Sequence, residues 1–303
     1  MTRMFKRLSL LLDSIKFAHS IFALPFALVA MVVAAGGWPE WRVAGLIVFC
    51  MVAARSAAMT FNRIVDREFD AVNPRARLRP SVTGELPLNF MRAFLLVCCA
   101  LFWLAAYFIN WTCFVLAPPV LAFLLGYSYS KRFTALCHFW LGLALGLAPL
   151  AAHLAITGDL QPLHALASRR GLSIEIFPLL LSLTVVCWVS GFDLIYACQD
   201  YAVDAADPRL HSTPKSIGIR KTLILSALLH VLACLLLAGT GWYAGMGAWY
   251  YFSCVLVAAL LCYEHWIVRP DDLSRVNVAF FTINGAVSLL LLLAVMLERV
   301  WLK

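Results

Sequence analysis

Five long stretches of the sequence contain no Asp, Glu, Lys or Arg, and this pattern leaves few folds open. They cover residues 17–39, 93–130, 133–158, 222–263 and 276–297. A helix needs about 20 apolar residues to cross a bilayer. The longer stretches therefore hold two helices each, broken at Asn110-Trp111 and in the glycine-rich segment from Gly239 to Gly247. The pattern is typical of a polytopic α-helical membrane protein.

We predict an all-α membrane protein that forms one transmembrane domain over residues 1–303, with about nine helices around a central polar cavity. The spans are expected at 17–36, 43–61, 90–109, 112–128, 133–156, 176–197, 221–239, 248–267 and 276–297. The first span is too long for a cleaved signal peptide and lacks a small-residue cleavage site, so we expect it to be retained. With 63% hydrophobic and 13% charged residues, the chain has too little polar surface for a soluble domain.

Lys and Arg residues are distributed unevenly between the two sides of this topology. If the N-terminus is cytoplasmic, the loops 62–89, 198–221 and 268–275 and the pair Lys131-Arg132 all lie inside. The positive-inside rule then predicts a multi-pass protein of the inner membrane, with its N-terminus and active site on the cytoplasmic side. The net charge of +8 reflects this topology and not a nucleic-acid partner. A basic inner surface also favours anionic substrates.

Two acidic segments stand at the ends of apolar helices on this inner side. The first acidic segment comprises Asn62, Asp66 and Asp70. The second acidic segment comprises Asp193, Asp200 and Asp204. Residues four apart lie on one face of an α-helix, and this spacing occurs in both segments. The sequence therefore predicts two columns of oxygen ligands that meet in one polar chamber.

Oxygen ligands of this kind suit a hard divalent cation such as Mg²⁺, which usually binds one or two carboxylates together with phosphate oxygens and water. Carboxylates alone would repel a phosphate, whereas a bridging metal attracts it and nearby basic residues add direct contacts. The combination predicts a diphosphate site. If the diphosphate leaves, the metal neutralises its charge, and aromatic walls can stabilise an allylic cation. A lipid-soluble chain on the diphosphate would explain the membrane location.

Several other polar residues on the inner side admit two interpretations. Tyr127 and Lys131 lie at the end of the fourth span, where aromatic and basic residues commonly form an interfacial belt; alternatively they line the site. Lys16 either extends to the headgroups or reaches a substrate anion. Glu264 and His265, one turn before a loop arginine, are expected at the membrane interface.

The chain resembles the UbiA superfamily of intramembrane aromatic prenyltransferases. The family motif Asn-Asp-x-x-Asp-x-x-x-Asp is similar to the first acidic segment, which is followed by Arg79-Pro80 and Gly84. The motif Asp-x-x-Tyr-Ala-x-x-Asp-x-x-x-Asp matches the second acidic segment, with Tyr196 and Ala197 in place. Arg63 stands where the family has its first aspartate, and this form resembles a bacterial subgroup that is 4-hydroxybenzoate polyprenyltransferase-like.

The resemblance implies a Mg²⁺-dependent transfer of a polyprenyl group from polyprenyl diphosphate to an aromatic acid in quinone biosynthesis. The acceptor is 4-hydroxybenzoate, on the route to ubiquinone, or a dihydroxynaphthoate, on the route to menaquinone. The implied metal ligands are Asn62, Asp66, Asp200 and Asp204. The implied catalytic residues are Asp70, Asp193 and Tyr127, the two aspartates either completing the metal shell or accepting a proton.

The resemblance also assigns substrate contacts. The acceptor carboxylate would be held by a basic residue, either Lys16 or Arg79. The candidates for diphosphate contact are Arg75, Arg77, Lys131 and Lys215. A second function remains open at this point, because intramembrane carboxylates also mark the ion paths of coupled transporters. A transporter predicts charges near the bilayer midplane, whereas these acids cluster at one face beside basic loops.

Overall fold

The computed structural model of the protein describes residues 3–15, 24–158 and 176–302. Within these residues the chain is helical, with short 3₁₀ and π-helical turns and no strand. The helices are α1 (Arg3–Ser14), α2 (Leu24–Ala34), α3 (Trp41–Val65), α4 (Arg67–Val72), α5 (Pro80–Thr83), α6 (Leu88–Ile109), α7 (Trp111–Ser130), α8 (Cys137–Thr157), α9 (Phe177–Ala197), α10 (Tyr201–Ala206), α11 (Thr213–Ile217), α12 (Ile219–Tyr243), α13 (Ala248–Ile267) and α14 (Asn284–Met296). A 3₁₀ turn (Cys198–Asp200) joins α9 to α10, and π-helical turns at Val278–Ile283 and Leu297–Trp301 flank α14.

The predicted all-α polytopic membrane fold is confirmed. In the described part of the chain, eight helices are long and apolar enough to cross a membrane. The shorter apolar helix α2 covers the second half of the first predicted span, and residues 17–23 of that span lie outside the described residues. The predicted count of nine spans is therefore approximate.

The chain divides into two compact units, which are described separately. The first unit contains residues 1–20 and 45–129, and the second contains residues 21–44 and 130–303. The first acidic segment belongs to the first unit, and the second acidic segment belongs to the second unit.

In the first unit, the amphipathic helix α1 packs through Leu11 and the following Ile15 against Leu86 and Met91. Its other end exposes Met4 and Phe5. The break predicted at residues 110–111 is confirmed, since Asn110 adopts an extended conformation between α6 and α7. Its side-chain oxygen accepts a hydrogen bond from the Cys113 backbone N–H at 2.8 Å, which satisfies one of the unpaired donors at the start of a helix.

In the second unit, helices α8 and α9 pack closely because α8 carries small residues at the contact. A Cβ atom at Gly142 would lie 2.7 Å from the Val186 carbonyl oxygen, and one at Gly146 would lie 3.0 Å from the Ser182 carbonyl oxygen. Only glycine permits this approach of the two backbones. Small residues in a membrane-spanning helix commonly allow such close contacts.

Polar side chains connect four helices in the interior of the second unit. The Trp188 indole N–H donates to Asn284 Oδ1 at 2.7 Å, and Asn284 Nδ2 donates to Glu264 Oε1 at 3.0 Å. Glu264 is fully buried, while the neighbouring His265 is half-buried and lies 3.0 Å from His230 Nδ1. Glu264, which the sequence places at the membrane interface, is thus buried within the protein, where the asparagine of α14 supplies its carboxylate with a donor.

Candidate functional site

The first acidic segment begins in the last turn of α3 and continues through α4. The backbone N–H of Asp66 donates to the Asn62 carbonyl at 2.9 Å, and that of Asp70 donates to the Asp66 carbonyl at 2.8 Å. These bonds continue the helical i→i+4 pattern through the junction between the helices. The predicted column of side chains on one face is therefore present, and Asn62 Nδ2 donates directly to Asp66 Oδ2 at 2.7 Å.

Arg63 lies beside this column and is buried, with 7% of its surface exposed. Its Nη1 donates to Asn62 Oδ1 at 3.2 Å, and its Nε donates to the backbone carbonyl of Ser14 at 3.2 Å. The residue that departs from the family pattern thus contacts two different elements of the first unit. A charged group of this kind is buried only where its donors are satisfied.

Asp70 and Arg79, predicted to have separate roles, form an ion pair. Arg79 Nη1 donates to both carboxylate oxygens of Asp70, at 2.7 Å and 2.6 Å, and the carboxylate is largely buried. Arg79 immediately precedes α5, whose first residue is Pro80. The pair therefore fixes the basic loop against α4, and Asp70 has a cation partner of its own.

Three other predicted residues of the first unit lie in a loop or near a helix end. Arg75 and Arg77 are exposed in the loop that leads to α5, and Tyr127 is half-buried near the end of α7. Lys16 lies outside the described residues. Arg75 and Arg77 keep the exposure that a contact with a soluble anion or a headgroup requires.

The second acidic segment begins with Asp193, which is buried in α9 beside a histidine of α8. Asp193 Oδ2 lies 2.6 Å from His138 Nδ1, and the side chains are 12% and 1% exposed. In the described part of the chain, the buried Nε2 atom of His138 has no hydrogen-bond partner. The contact fixes Asp193 between two helices, and a carboxylate this deep needs such a partner.

Asp200 and Asp204 follow at the end of the same helical run. Asp200 ends the 3₁₀ turn, and Asp204 lies in α10 with 4% of its surface exposed. Among the residues that the structure describes, the buried Oδ2 atom of Asp204 has no hydrogen-bond partner. An unpaired carboxylate oxygen in a buried position is unfavourable by itself, and a cation would satisfy it.

Lys131 brings a positive charge to this segment. Burial lowers the pKa of its ammonium group, but the carboxylate of Asp204, together with the other two carboxylates of the segment, raises it by more. The net shift of the Lys131 pKa is upward, so the side chain is charged at any physiological pH. The predicted proximity of Lys131 to the second acidic segment is present within the second unit.

Hydrogen bonds tie the loop that contains Lys131 to the loop that follows α10. The His211 backbone N–H donates to the Lys131 carbonyl at 2.7 Å, and the Thr213 hydroxyl donates to the Ala135 carbonyl at 2.7 Å. Lys215 Nζ donates to the carbonyls of Asp207 and Leu210 at 2.8 and 2.7 Å. Lys215, predicted to bind substrate, therefore braces this loop with at least two of its three donors.

The donor set of both segments consists of oxygen atoms, and the unpartnered Asp204 Oδ2 is a buried acceptor that a hard cation suits. Within residues 3–15, 24–158 and 176–302, no three His, Cys, Asp or Glu side chains are arranged as a preformed metal site. The residues present thus fit a divalent cation that completes its coordination with substrate oxygens and water.

Two functional contacts escaped the sequence reasoning. His138 stands 55 positions before Asp193, and no spacing rule connects a residue at the start of α8 with one in the last turns of α9. The signal for it in the sequence is a histidine at the start of an apolar run. Arg63 was noticed as a departure from the family pattern, but its bond to Ser14 depends on how α1 docks.

Eight membrane-spanning helices in the described residues, with acidic residues gathered at helix ends beside basic residues, define an integral membrane protein. A family model described as the UbiA prenyltransferase family matches residues 23–294. The chain belongs to this family. It is 29% identical to the 4-hydroxybenzoate octaprenyltransferase of Methylococcus capsulatus over 262 residues, 84% of this chain and 82% of that protein. The enzyme of the same description from Methylobacillus flagellatus is 29% identical, over 83% and 79% of the two chains.

Solved structures show the same fold. The apo structure of a UbiA homolog from Aeropyrum pernix superimposes with a TM-score of 0.80 at 28% identity, over 93% of this chain and 98% of that one. A UbiA homolog from Archaeoglobus fulgidus bound to DMAPP and Mg²⁺ gives a TM-score of 0.68 at 19% identity, over 94% and 98%. The chain is therefore a membrane-embedded prenyltransferase of the UbiA fold.

Proposed function

We propose that this prenyltransferase transfers a polyprenyl group from polyprenyl diphosphate to the ring of an aromatic acid, as a step of quinone biosynthesis. The relatives in Methylococcus and Methylobacillus are 4-hydroxybenzoate octaprenyltransferases, which supports a hydroxybenzoate acceptor. The observation that carries the proposal is the surroundings of Asp204. Among the described residues, the buried Oδ2 atom of Asp204 has no hydrogen-bond partner, and the neighbouring Lys131 is positively charged because its pKa is raised. A metal diphosphate supplies a cation for the Asp204 carboxylate and an anion for the Lys131 ammonium group.

Asn62, Asp66, Asp200 and Asp204 would hold Mg²⁺, as carboxylate and amide oxygens are suited to do. The UbiA homolog from Archaeoglobus that is bound to DMAPP and Mg²⁺ supports this choice of metal. When bound, Mg²⁺ offsets the charge that the diphosphate gains as it leaves. The two acidic segments would thus serve one substrate within a single domain.

The residues of this chain bind and orient the reactants. Lys131 contacts the diphosphate, and the exposed Arg75 and Arg77 attract it to the membrane surface. The allylic C–O bond breaks with its electron pair going to the diphosphate, a ring carbon of the acceptor forms the new C–C bond, and that carbon then loses its proton. Asp193, which His138 orients, is our candidate for the proton acceptor.

Other predicted residues have less direct roles in this proposal. Lys215 braces the loop beside Lys131, and Arg79 holds Asp70. Lys16 and Tyr127 remain candidates for contacts with the acceptor. We propose that the site opens to the cytoplasmic side of the inner membrane, because the basic loops face that side under the positive-inside rule.

The proposal is tested with purified protein in lipid nanodiscs, supplied with polyprenyl diphosphate, Mg²⁺ and equal amounts of 4-hydroxybenzoate and a dihydroxynaphthoate. We expect a lipid-extractable product whose mass equals acceptor plus prenyl group minus one hydrogen, and which disappears when a chelator is added. Asp204→Ala should lower the rate by about 100-fold or more, the effect of losing one electrostatic contact to a transition state.

The matched control is Asp271→Ala, which removes an exposed carboxylate from the loop after α13. It should leave the rate unchanged. Absence of product with both acceptors in the wild-type protein, or equal losses in the two variants, would contradict the proposed function. The mass of the product identifies which acceptor is used.

A further inference from the structure

Arg63 occupies a place where the family pattern has a carboxylate, yet it is buried at 7% exposure in the last turn of α3. The guanidinium is a rigid, planar group with donors that point in different directions. Here Nη1 points to Asn62 Oδ1 and Nε points to the Ser14 carbonyl, each at 3.2 Å. The side chain therefore links α1 to the first acidic segment.

Arg63 also determines which way the Asn62 amide faces. Because the oxygen of the amide accepts from Arg63, its NH₂ group is directed at Asp66 and donates to Oδ2 at 2.7 Å. The opposite orientation would place the NH₂ group against the guanidinium and the amide oxygen against a carboxylate, so that both contacts become repulsive. One chain of hydrogen bonds thus runs from Arg63 through Asn62 to Asp66.

The packing of α1 holds the Arg63 end of this chain of hydrogen bonds in place. Carbonyl groups in the last turn of a helix lack partners within the helix and favour a cation, and the Ser14 carbonyl receives Arg63 in this way. The same end of α1 is anchored by Leu11 and Ile15, both fully buried against residues of α6 and the segment before it. The docking of α1 is therefore coupled to the orientation of Asn62 and Asp66.

We propose that Arg63 is a positioning residue, which fixes the Asn62–Asp66 pair for metal binding by tethering it to the C-terminal end of α1. The proposal rests on the proposed function, in which Asn62 and Asp66 are metal ligands. Groups that orient ligands from behind typically contribute 10–100-fold to metal affinity. Where the family pattern has a carboxylate ligand, this protein would have an arginine that orients the neighbouring ligands Asn62 and Asp66.

The experiment measures Mn²⁺ binding by electron paramagnetic resonance in the presence of inorganic diphosphate, together with hydrogen exchange of residues 3–15. For Arg63→Ala we expect Mn²⁺ affinity to fall by roughly 10–100-fold and amide exchange in the last turn of α1 to rise. Arg63→Asp, which restores the carboxylate of the family pattern, should bind Mn²⁺ no better than Arg63→Ala. Arg67→Ala, at an exposed arginine four residues on, is the matched control and should match wild type in both measurements.

Three results would overturn the positioning role: unchanged Mn²⁺ affinity in Arg63→Ala, wild-type or tighter binding in Arg63→Asp, or unaltered exchange in α1. Full Mn²⁺ binding by Arg63→Lys would also overturn it, since a lysine keeps the charge without the two-directional donors. If the wild-type protein itself binds no Mn²⁺ in the presence of diphosphate, that result contradicts the proposed function and not only the role of Arg63. That outcome is distinguishable from loss confined to the Arg63 variants.

Discussion

Replacing His138 by alanine removes the hydrogen-bond partner that the described residues give to the Asp193 side chain. The contact is short, at 2.6 Å, and the histidine is 1% exposed. A hydrogen bond to a charged group contributes roughly 1.5–3 kcal/mol, and leaving a buried charge without its partner costs about 3–5 kcal/mol. Because the Asp193 side chain keeps 12% exposure, we expect a loss near the lower end, about 3 kcal/mol in the free energy of unfolding.

The same change should reduce catalysis beyond its effect on stability. A residue that orients a functional carboxylate from behind is typically associated with 10–100-fold in activity, equivalent to about 1.4–2.8 kcal/mol. His138→Asn offers an amide donor near the position of Nδ1 and should recover most of the activity. Recovery by asparagine would separate a hydrogen-bonding role from simple filling of space.

A double-mutant cycle tests the pairing itself. His138→Ala, Asp193→Asn and the double variant are compared with wild type by thermal unfolding in detergent and by kcat/KM for prenyl transfer. We expect the double variant to lose less than the sum of the single losses, with a coupling energy of about 1.5–3 kcal/mol. Additive losses in both measurements would refute the reasoning, because independent residues show no coupling.

Three further changes follow from the described contacts. Glu264→Ala should destabilise the protein by about 2–4 kcal/mol, since it leaves a cavity and an unpaired Asn284 N–H. Glu264→Gln should destabilise it by less than about 1 kcal/mol. Equal melting temperatures for the two variants would contradict the role of Glu264 in the buried hydrogen-bond network. Gly142→Ala should destabilise the protein by about 1–3 kcal/mol through overpacking against α9. Gly45→Ala, where a Cβ meets nothing within 4 Å, should not destabilise it. Chemical denaturation compares the two variants, and destabilisation by both would contradict a specific close contact at Gly142. Because the pKa of Lys131 is raised, the stabilisation by its charge is complete below the ordinary lysine pKa and is lost only above the raised pKa. The wild type should therefore show no Lys131-dependent change in stability between about pH 6 and 9. Lys131→Met should raise KM for the diphosphate equally across that range.

The features that could be predicted from the sequence are those that local spacing determines. Uncharged stretches of about 20 residues gave the helices, and the four-residue spacing of Asn62 and Asp66 gave a direct contact of 2.7 Å between their side chains. Gly142 and Gly146 lie one turn apart on the same face of α8, so the sequence also indicates a face that permits close packing. In each case the relevant partners are a few positions apart or on one helix.

The features that could not be predicted depend on which helix faces meet. The sequence predicts an interfacial position for Glu264, which stands three residues before the end of its helix. In the structure its side chain is buried and accepts a hydrogen bond from Asn284 of α14. Arg79 reads as a substrate contact, but its partner is Asp70, nine positions earlier. A charged residue near a membrane surface satisfies its hydrogen bonds with water, protein or substrate, and the sequence does not distinguish these partners.

Lys131 and Lys215 illustrate how the structure separates residues that the sequence treats alike. Both are lysines in loops beside the second acidic segment, and the sequence assigns both to the diphosphate. Lys215 donates to two backbone carbonyls, so its ammonium is committed to the loop and its replacement should act through the position of that loop. Lys131 faces carboxylates that outweigh its burial, so its charge is held for an anion only if a cation offsets those carboxylates. The diphosphate and the metal would then bind together or weakly, and Mg²⁺ should tighten diphosphate binding in wild type more than in Lys131→Met.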